Sequence, residues 1–165
     1  MEPITVLLVD DHVLFREGIR ALLAIREEIE VVGEANRGIE AVAVAREKMP
    51  DLVLMDVRMP VMGGVEATRL IKTEMPSVQI VMLTVSDEDS DLFGAIKAGA
   101  HGYILKNTPS DELVKQLKGV MNGEAPISGL MATKILAEQG RSSPLCCQQE
   151  NLTEDKIQIL KVRFV

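Results

Sequence analysis

Asp10 and Asp11 stand side by side at the end of the apolar run Ile4-Thr5-Val6-Leu7-Leu8-Val9, and Asp56 closes a second run, Asp51-Leu52-Val53-Leu54-Met55. Two further runs, Val78 to Leu83 and Gly102 to Leu105, stop at Thr84 and Lys106. A short apolar run that ends at a polar residue predicts a buried parallel strand whose last side chain emerges at its carboxyl end. In open parallel α/β sheets that edge is where ligands bind. Three carboxylates, a hydroxyl and an ammonium gathered on one rim suit a divalent cation and a phosphoryl group.

Magnesium takes oxygen donors, commonly one or two carboxylates with waters and phosphate oxygens. Asp11 and Asp56 suit direct ligation, with Asp10 acting through a water. Without a cation the cluster is costly, because like charges raise one another's pKa. Asp56 is placed to be a carboxylate nucleophile forming an acyl phosphate. Lys106 would meet phosphoryl oxygens as a point charge, and Thr84 would donate its hydroxyl. Taken singly, each residue has a plainer reading. Asp10-Asp11 suits the start of a helix, Asp56 a loop, Thr84 a strand end and Lys106 a solvated surface. Their shared position at the ends of successive predicted strands is what argues for a site. Gly63 and Gly64 read as loop and helix-start residues, since no Lys-Ser/Thr follows as in a phosphate-binding loop. Met59, Met62 and the other methionines read as packing.

The elements that must position these groups alternate regularly from residue 4 to about 122. Helix Val13 to Ala24 carries an apolar stripe of Val13, Leu14, Ile19, Leu22 and Leu23. Strand Val31 to Ala35 leads to helix Ile39 to Lys48, stopped by Pro50. Helix Val65 to Glu74 follows the loop after Asp56, and helix Asp89 to Lys97 ends at Gly99. A last helix runs from about Ser110 to Met121, with Pro109 and Asp111 at its start and Gly123 after it. Five such units predict a doubly wound α/β fold, a five-stranded parallel sheet with helices on both faces. The flavodoxin-like order 2-1-3-4-5 puts Asp10, Asp11 and Asp56 at the topological switch point.

Residues 1–122 therefore form one domain. Residues 123–150 read as a linker extension with one helix, Ser128 to Gln139, followed by Gly140-Arg141-Ser142-Ser143-Pro144. Residues 151–165 begin another helix, with Thr153 as N-cap and Leu152 before it.

Composition narrows the classes of function. Hydrophobic residues make up 47% of the 165, but aromatics only 2%, so aliphatic side chains and Met must fill the core. A formal charge of -7 argues against gripping nucleic acid by bulk electrostatics. No run approaches the roughly 18 apolar residues that span a bilayer, and Glu2-Pro3 is unlike a signal peptide. A cytoplasmic protein without membrane contact is expected. Cys146 and Cys147 are adjacent and distant in sequence from His12 and His101, so neither a disulfide framework nor a zinc site is expected.

The runs Leu8-Val9-Asp10-Asp11-His12, Leu54-Met55-Asp56-Val57-Arg58-Met59-Pro60, Met82-Leu83-Thr84 and Gly102-Tyr103-Ile104-Leu105-Lys106 resemble the receiver domain of two-component response regulators. Phe15-Arg16-Glu17-Gly18-Ile19-Arg20, Ala98-Gly99-Ala100-His101-Gly102-Tyr103 and Leu152-Thr153-Glu154 resemble the subfamily with a LuxR-type (NarL/FixJ-like) helix-turn-helix output domain. The resemblance implies that Asp56 is the phosphoacceptor. It also implies a Mg2+ site made by Asp10, Asp11, Asp56 and the backbone carbonyl of Arg58. Thr84 and Lys106 would read the phosphoryl group, and Tyr103 would change rotamer with Thr84. Arg58 and Ser86 would flank the acyl phosphate. The donor would be a phosphohistidine on a sensor histidine kinase, and phosphorylation would favour a homodimer.

The tail departs from that pattern. Asp155 and Lys156 stand where the subfamily has Arg-Glu, and the sequence ends at Val165, before a recognition helix. DNA contact is therefore expected only through an output domain missing here. Two other functions compete. An aspartyl-nucleophile phosphatase would want a second acid two residues after Asp56, where Arg58 stands. A phosphate-independent interaction module would have no need of Asp10, Asp11, Asp56, Thr84 and Lys106 together. A signalling receiver rather than a dedicated enzyme is the expectation.

Overall fold

A computed structural model describes residues 2–85, 91–127 and 129–141. Five strands, β1 (Ile4–Val9), β2 (Ile29–Ala35), β3 (Leu52–Asp56), β4 (Gln79–Thr84) and β5 (Gly102–Leu105), form a parallel sheet in the order β2-β1-β3-β4-β5. Between and after them lie α1 (Val13–Ala24), α2 (Gly38–Lys48), α3 (Gly64–Glu74), α4 (Asp91–Ala98), α5 (Ser110–Met121) and α6 (Gly129–Arg141). This is the doubly wound, flavodoxin-like fold that the alternating signals predict.

The central strands are apolar throughout because both sheet faces are covered. Leu7, Val9, Val53, Met55, Ile80 and Met82 point to one face and pack under α2, α3 and α4. Their neighbours Val6, Leu8, Leu52, Leu54, Val81 and Leu83 point to the other, under α1 and α5. Register then aligns the strand ends: Val9 pairs with Met55, Asp56 with Leu83, and Thr84 with Leu105. The residue that closes each strand therefore reaches the same rim. β2 takes one extra residue at Val32, since Val6 pairs with Val31 but Leu7 with Gly33.

Helix ends follow the local chemistry. Gly99 (φ 106°) and Gly123 (φ 90°) take the left-handed conformation after α4 and α5, and Met49 (φ 46°) does so before Pro50. Asp111 and Glu112 occupy the first turn of α5, where the helix dipole favours acids. The stripe of α1 differs from the sequence expectation. Val13 and Leu14 are 53% and 85% exposed, and the buried face is Phe15, Ile19, Leu22 and Leu23. Phe15 sets the helical phase by packing under the rim, which turns its two apolar predecessors to solvent.

The predicted extension helix is α6. It packs Met131 and Ile135 into the same cluster as Leu92, Ala95 and Tyr103. The segment before it closes the outer edge of the sheet, where Tyr103 N–H donates to Pro126 O at 2.8 Å. The expectations for residues 151–165, Cys146, Cys147 and Ser86 lie outside the described residues. Among the described residues, no helix is long and apolar enough to cross a membrane.

A half-buried titratable group sits away from the rim. His101, before β5, accepts the Ile80 N–H at Nδ1 (3.2 Å), extending the β4–β5 ladder with a side chain. Burial, and secondarily the Lys72 ammonium, lower its pKa to about 4. The unfolded chain takes up this proton near pH 6.5, and the fold refuses it until about pH 4. The contribution of neutral His101 is therefore complete above pH 6.5 and is lost as pH falls from 6.5 towards 4. After discounting for a partly solvated ring, the loss should be on the order of 2 kcal/mol. Urea denaturation across pH 4–7 should show this slope in the difference between wild type and His101→Asn, from which the opposite titration of Asp56 cancels. His101→Asn keeps an acceptor without the titration, so it removes the His101 part of the pH dependence and leaves the rest in place.

Candidate functional site

The rim is held by backbone hydrogen bonds before any side chain is considered. Asp10 N–H donates to Ala35 O (3.1 Å), Val57 N–H to Leu83 O (3.0 Å), and Lys106 N–H to Thr84 O (2.7 Å). The turn after β1 is held further by Arg16, whose Nη1 donates to Asp10 O at 2.7 Å while its Nε meets Glu34 Oε1 at 3.1 Å. Asp10, Asp56 and Thr84 are all buried.

Lys106 reaches back over this floor. Its Nζ lies 2.8 Å from Asp10 Oδ2 and 3.3 Å from Asp56 Oδ1. The ammonium also stands 4.7 Å from the centroid of the Phe15 ring, a cation–π contact that holds it inward. One ammonium cannot balance three carboxylates. Burial first, and then the Asp10 charge, push Asp56 up to about 7 against the pull of Lys106. Asp56 Oδ2 is buried and accepts no hydrogen bond.

His12 joins the acids. Its backbone N–H donates to Asp10 Oδ1 (2.8 Å), and its Nδ1 lies 3.1 Å from Asp10 Oδ1 and 3.2 Å from Asp11 Oδ1. One donor atom each from Asp10, Asp11, His12 and Asp56 falls within 4.8 Å of the others. The loop after β3 leaves this cluster through a strained turn. Met62 N–H donates to Pro60 O (2.8 Å) across Val61, which is 93% exposed with φ 70°. A β-branched residue in that region costs about 1–3 kcal/mol. Arg58, in the same loop, is exposed.

Sequence reasoning named Asp10, Asp11, Asp56 and Lys106, and these four side chains do come together. Thr84 is buried at the end of the neighbouring strand. Tyr103 is buried with α4 and α6 around it. Three contributors were missed. His12 was legible from its place next to Asp11, and Phe15 from its helical spacing to Ile19, Leu22 and Leu23, whereas the reach of Arg16 back to Asp10 depends on how α1 sits in the fold. His12, Leu14, Phe15, Val85, Lys106 and Asn107 line an open hollow of about 480 Å³ beside the acids.

The sequence matches the response regulator receiver domain family over residues 6–118. The chain belongs to that family. It is the receiver domain of a response regulator in two-component signalling. Among curated proteins, this receiver is 38% identical over 165 residues to the transcriptional regulatory protein LnrK of Bacillus subtilis (strain 168), covering 95% of this chain and 75% of that one. It is 40% identical over 157 residues to the response regulator protein VraR of Staphylococcus aureus (strain NCTC 8325 / PS 47), covering 95% and 74%. The chain thus spans about three quarters of the length of these relatives. Among solved structures, it superimposes on a LuxR-family response regulator from Aurantimonas sp. SI85-9A1 with a TM-score of 0.74 at 36% identity, covering 84% of this chain and 99% of that one. The receiver domain of the putative response regulator NarL from Mycobacterium tuberculosis gives 0.71 at 31% identity, covering 75% and 100%.

Proposed function

We propose that this receiver is switched by phosphorylation of Asp56, with the phosphoryl group taken from a phosphohistidine on a sensor histidine kinase. The observation that carries the proposal is Asp56 itself, a buried carboxylate whose Oδ2 accepts no hydrogen bond and whose Oδ1 lies 3.3 Å from Lys106 Nζ. Oδ2 attacks phosphorus, the O–P bond forms as the N–P bond breaks, and the imidazole leaves. Lys106 would then pair with the phosphoryl oxygens, and the Thr84 hydroxyl would donate to them. The apolar hollow lined by Leu14, Phe15 and Val85 supports docking of the donor beside the nucleophile.

The residues present fit a divalent cation, because oxygen donors of Asp10, Asp11 and Asp56 lie within 4.8 Å of one another and Asp11 Oδ1 is buried without a hydrogen bond. Asp10, Asp11, Asp56 and the Arg58 carbonyl would hold Mg2+. When bound, the ion supplies positive charge to these carboxylates and to the transferring phosphoryl oxygens.

Residues 1–122 would be the switched unit, acting in the cytoplasm as a signalling receiver rather than a dedicated hydrolase. Tyr103 would change rotamer with Thr84 and so alter the surface formed by α4, β5 and α6. That change would favour a homodimer, with DNA contacted through an output domain.

Incubation with phosphoramidate and Mg2+, followed by intact-mass spectrometry, tests the reading. The expected product is one phosphate adduct that hydroxylamine removes, that borohydride converts to homoserine at position 56, and that chelator suppresses. An adduct on another residue, or none from a folded protein, would overturn it.

A further inference from the structure

The acid cluster carries one donor that a pure magnesium site does not use, the imidazole of His12. Two carboxylate oxygens converge on one ring nitrogen, with Asp10 Oδ1 at 3.1 Å and Asp11 Oδ1 at 3.2 Å from Nδ1. A nitrogen carries at most one proton, so it can satisfy only one of them. The other is left over: Asp11 Oδ1 is buried without a hydrogen bond, as is Asp56 Oδ2. A metal ion answers all of these groups at once. Adjacent donors around an octahedral ion with bonds of about 2.1 Å lie about 3 Å apart, close to the spacing of Nδ1 from its two oxygens. The four residues' donor atoms all fall within 4.8 Å, a little wider than the roughly 4.2 Å across such an ion.

Magnesium prefers oxygen and gains little from an imidazole, whereas manganese, cobalt and zinc accept it. We infer that His12 Nδ1 is a nitrogen ligand that biases this site from magnesium towards first-row transition ions. The inference rests on the cation site proposed above and adds its selectivity. His12 is held for the role by its own backbone N–H, which donates to Asp10 Oδ1 at 2.8 Å and keeps ring and carboxylate on one side of the turn. Its ring is well exposed, so it can rotate the short distance that ligation needs.

Mn2+ is the probe of choice, since it ignores the thiols of Cys146 and Cys147 and its bound form is read by electron paramagnetic resonance. Three chains should be titrated with Mn2+ and separately with Mg2+: wild type, His12→Asn and Asp11→Asn. Asn at position 12 can keep the hydrogen bond to Asp10, but its amide nitrogen has no lone pair for a metal. Bound Mn2+ in the wild type should show the echo modulation of a coordinated imidazole nitrogen. His12→Asn should abolish that signal and weaken Mn2+ by about tenfold or more, with Mg2+ affinity held within about threefold. Asp11→Asn should weaken both ions, which ties the nitrogen signal to this cluster. Oxygen-only Mn2+ in the wild type would overturn the role of His12, as would equal losses of both ions in His12→Asn or a nitrogen signal that survives it. Failure of either ion to bind folded wild type would instead sink the cation site beneath it.

Discussion

Asp56→Asn should give no acyl phosphate under conditions that label the wild type, and it should fold at least as well. The amide lacks the nucleophilic oxygen that forms the O–P bond, so the loss is complete rather than partial. The prediction for stability runs opposite to the usual effect of removing a buried group. Burial and the Asp10 charge raise Asp56 to about 7, so its penalty is absent below the unfolded value of 3.8 and complete above pH 7. Lys106 keeps a partner in the variant, because Asp10 Oδ2 stays at 2.8 Å. In chelator at pH 8, Asp56→Asn should therefore gain about 1–3 kcal/mol over the wild type. It should also lose most of the stabilisation that Mg2+ gives the wild type. Urea denaturation of both chains, with chelator and with Mg2+, measures all four values. A fall of more than about 2 kcal/mol would mean that the Asp56–Lys106 pair holds the fold, and the cluster would then need no cation.

Gly64→Ala should be the most damaging single methyl in the receiver. Gly64 opens α3, and its N–H donates to Val57 O at 2.9 Å. An added Cβ would lie 2.1 Å from the carbonyl oxygen of Asp56 and 2.9 Å from Met82 Cε. The first of these is backbone and cannot step aside, so either the helix start or the end of β3 must move. A loss of about 3 kcal/mol or more is expected. Phosphoryl acceptance should fall in step, because the displaced backbone carries Asp56, the proposed nucleophile. Gly18→Ala is the control. Gly18 lies exposed within α1 with nothing within 4 Å of its Cβ position, and the change should add about 0.5–1 kcal/mol through helix propensity. Denaturation curves in which Gly64→Ala matches the wild type would show that α3 does not seat against Asp56.

The proposed cation site, the proposed nucleophile and the glycine cradle all depend on strand ends meeting at one rim, and that meeting was legible. Each of β1, β3, β4 and β5 is an apolar run stopped by or at a polar residue. A parallel sheet with crossover helices leaves no other edge for those residues to share. The helix starts and stops were similarly plain, since Pro50, Gly99 and Gly123 act through their own backbone geometry. The stripe of α1 was not. Two apolar residues at its start blurred it: Phe15, Ile19, Leu22 and Leu23 fall at i, i+4, i+7 and i+8 on one face, whereas Val13 and Leu14 lie off that face and turn to solvent.

What the sequence determined alone is therefore the local and the periodic: five strands, their helices, and the acids, hydroxyl and ammonium at the strand ends. Tertiary structure decided the rest. His12 became a candidate ligand because Arg16 and Ala35 fix the turn at Asp10. Asp56 acquired its raised pKa because the fold buries it and, second, because β1 and β3 are neighbours and bring the Asp10 charge to it. The extension helix α6 left the role of a plain linker because Met131 and Ile135 found apolar side chains of α4 and β5 to bury against. Periodicity reports which side of an element is apolar, but not what lies across from it. Distances and fields between residues remote in sequence arise only when the sheet brings their ends together.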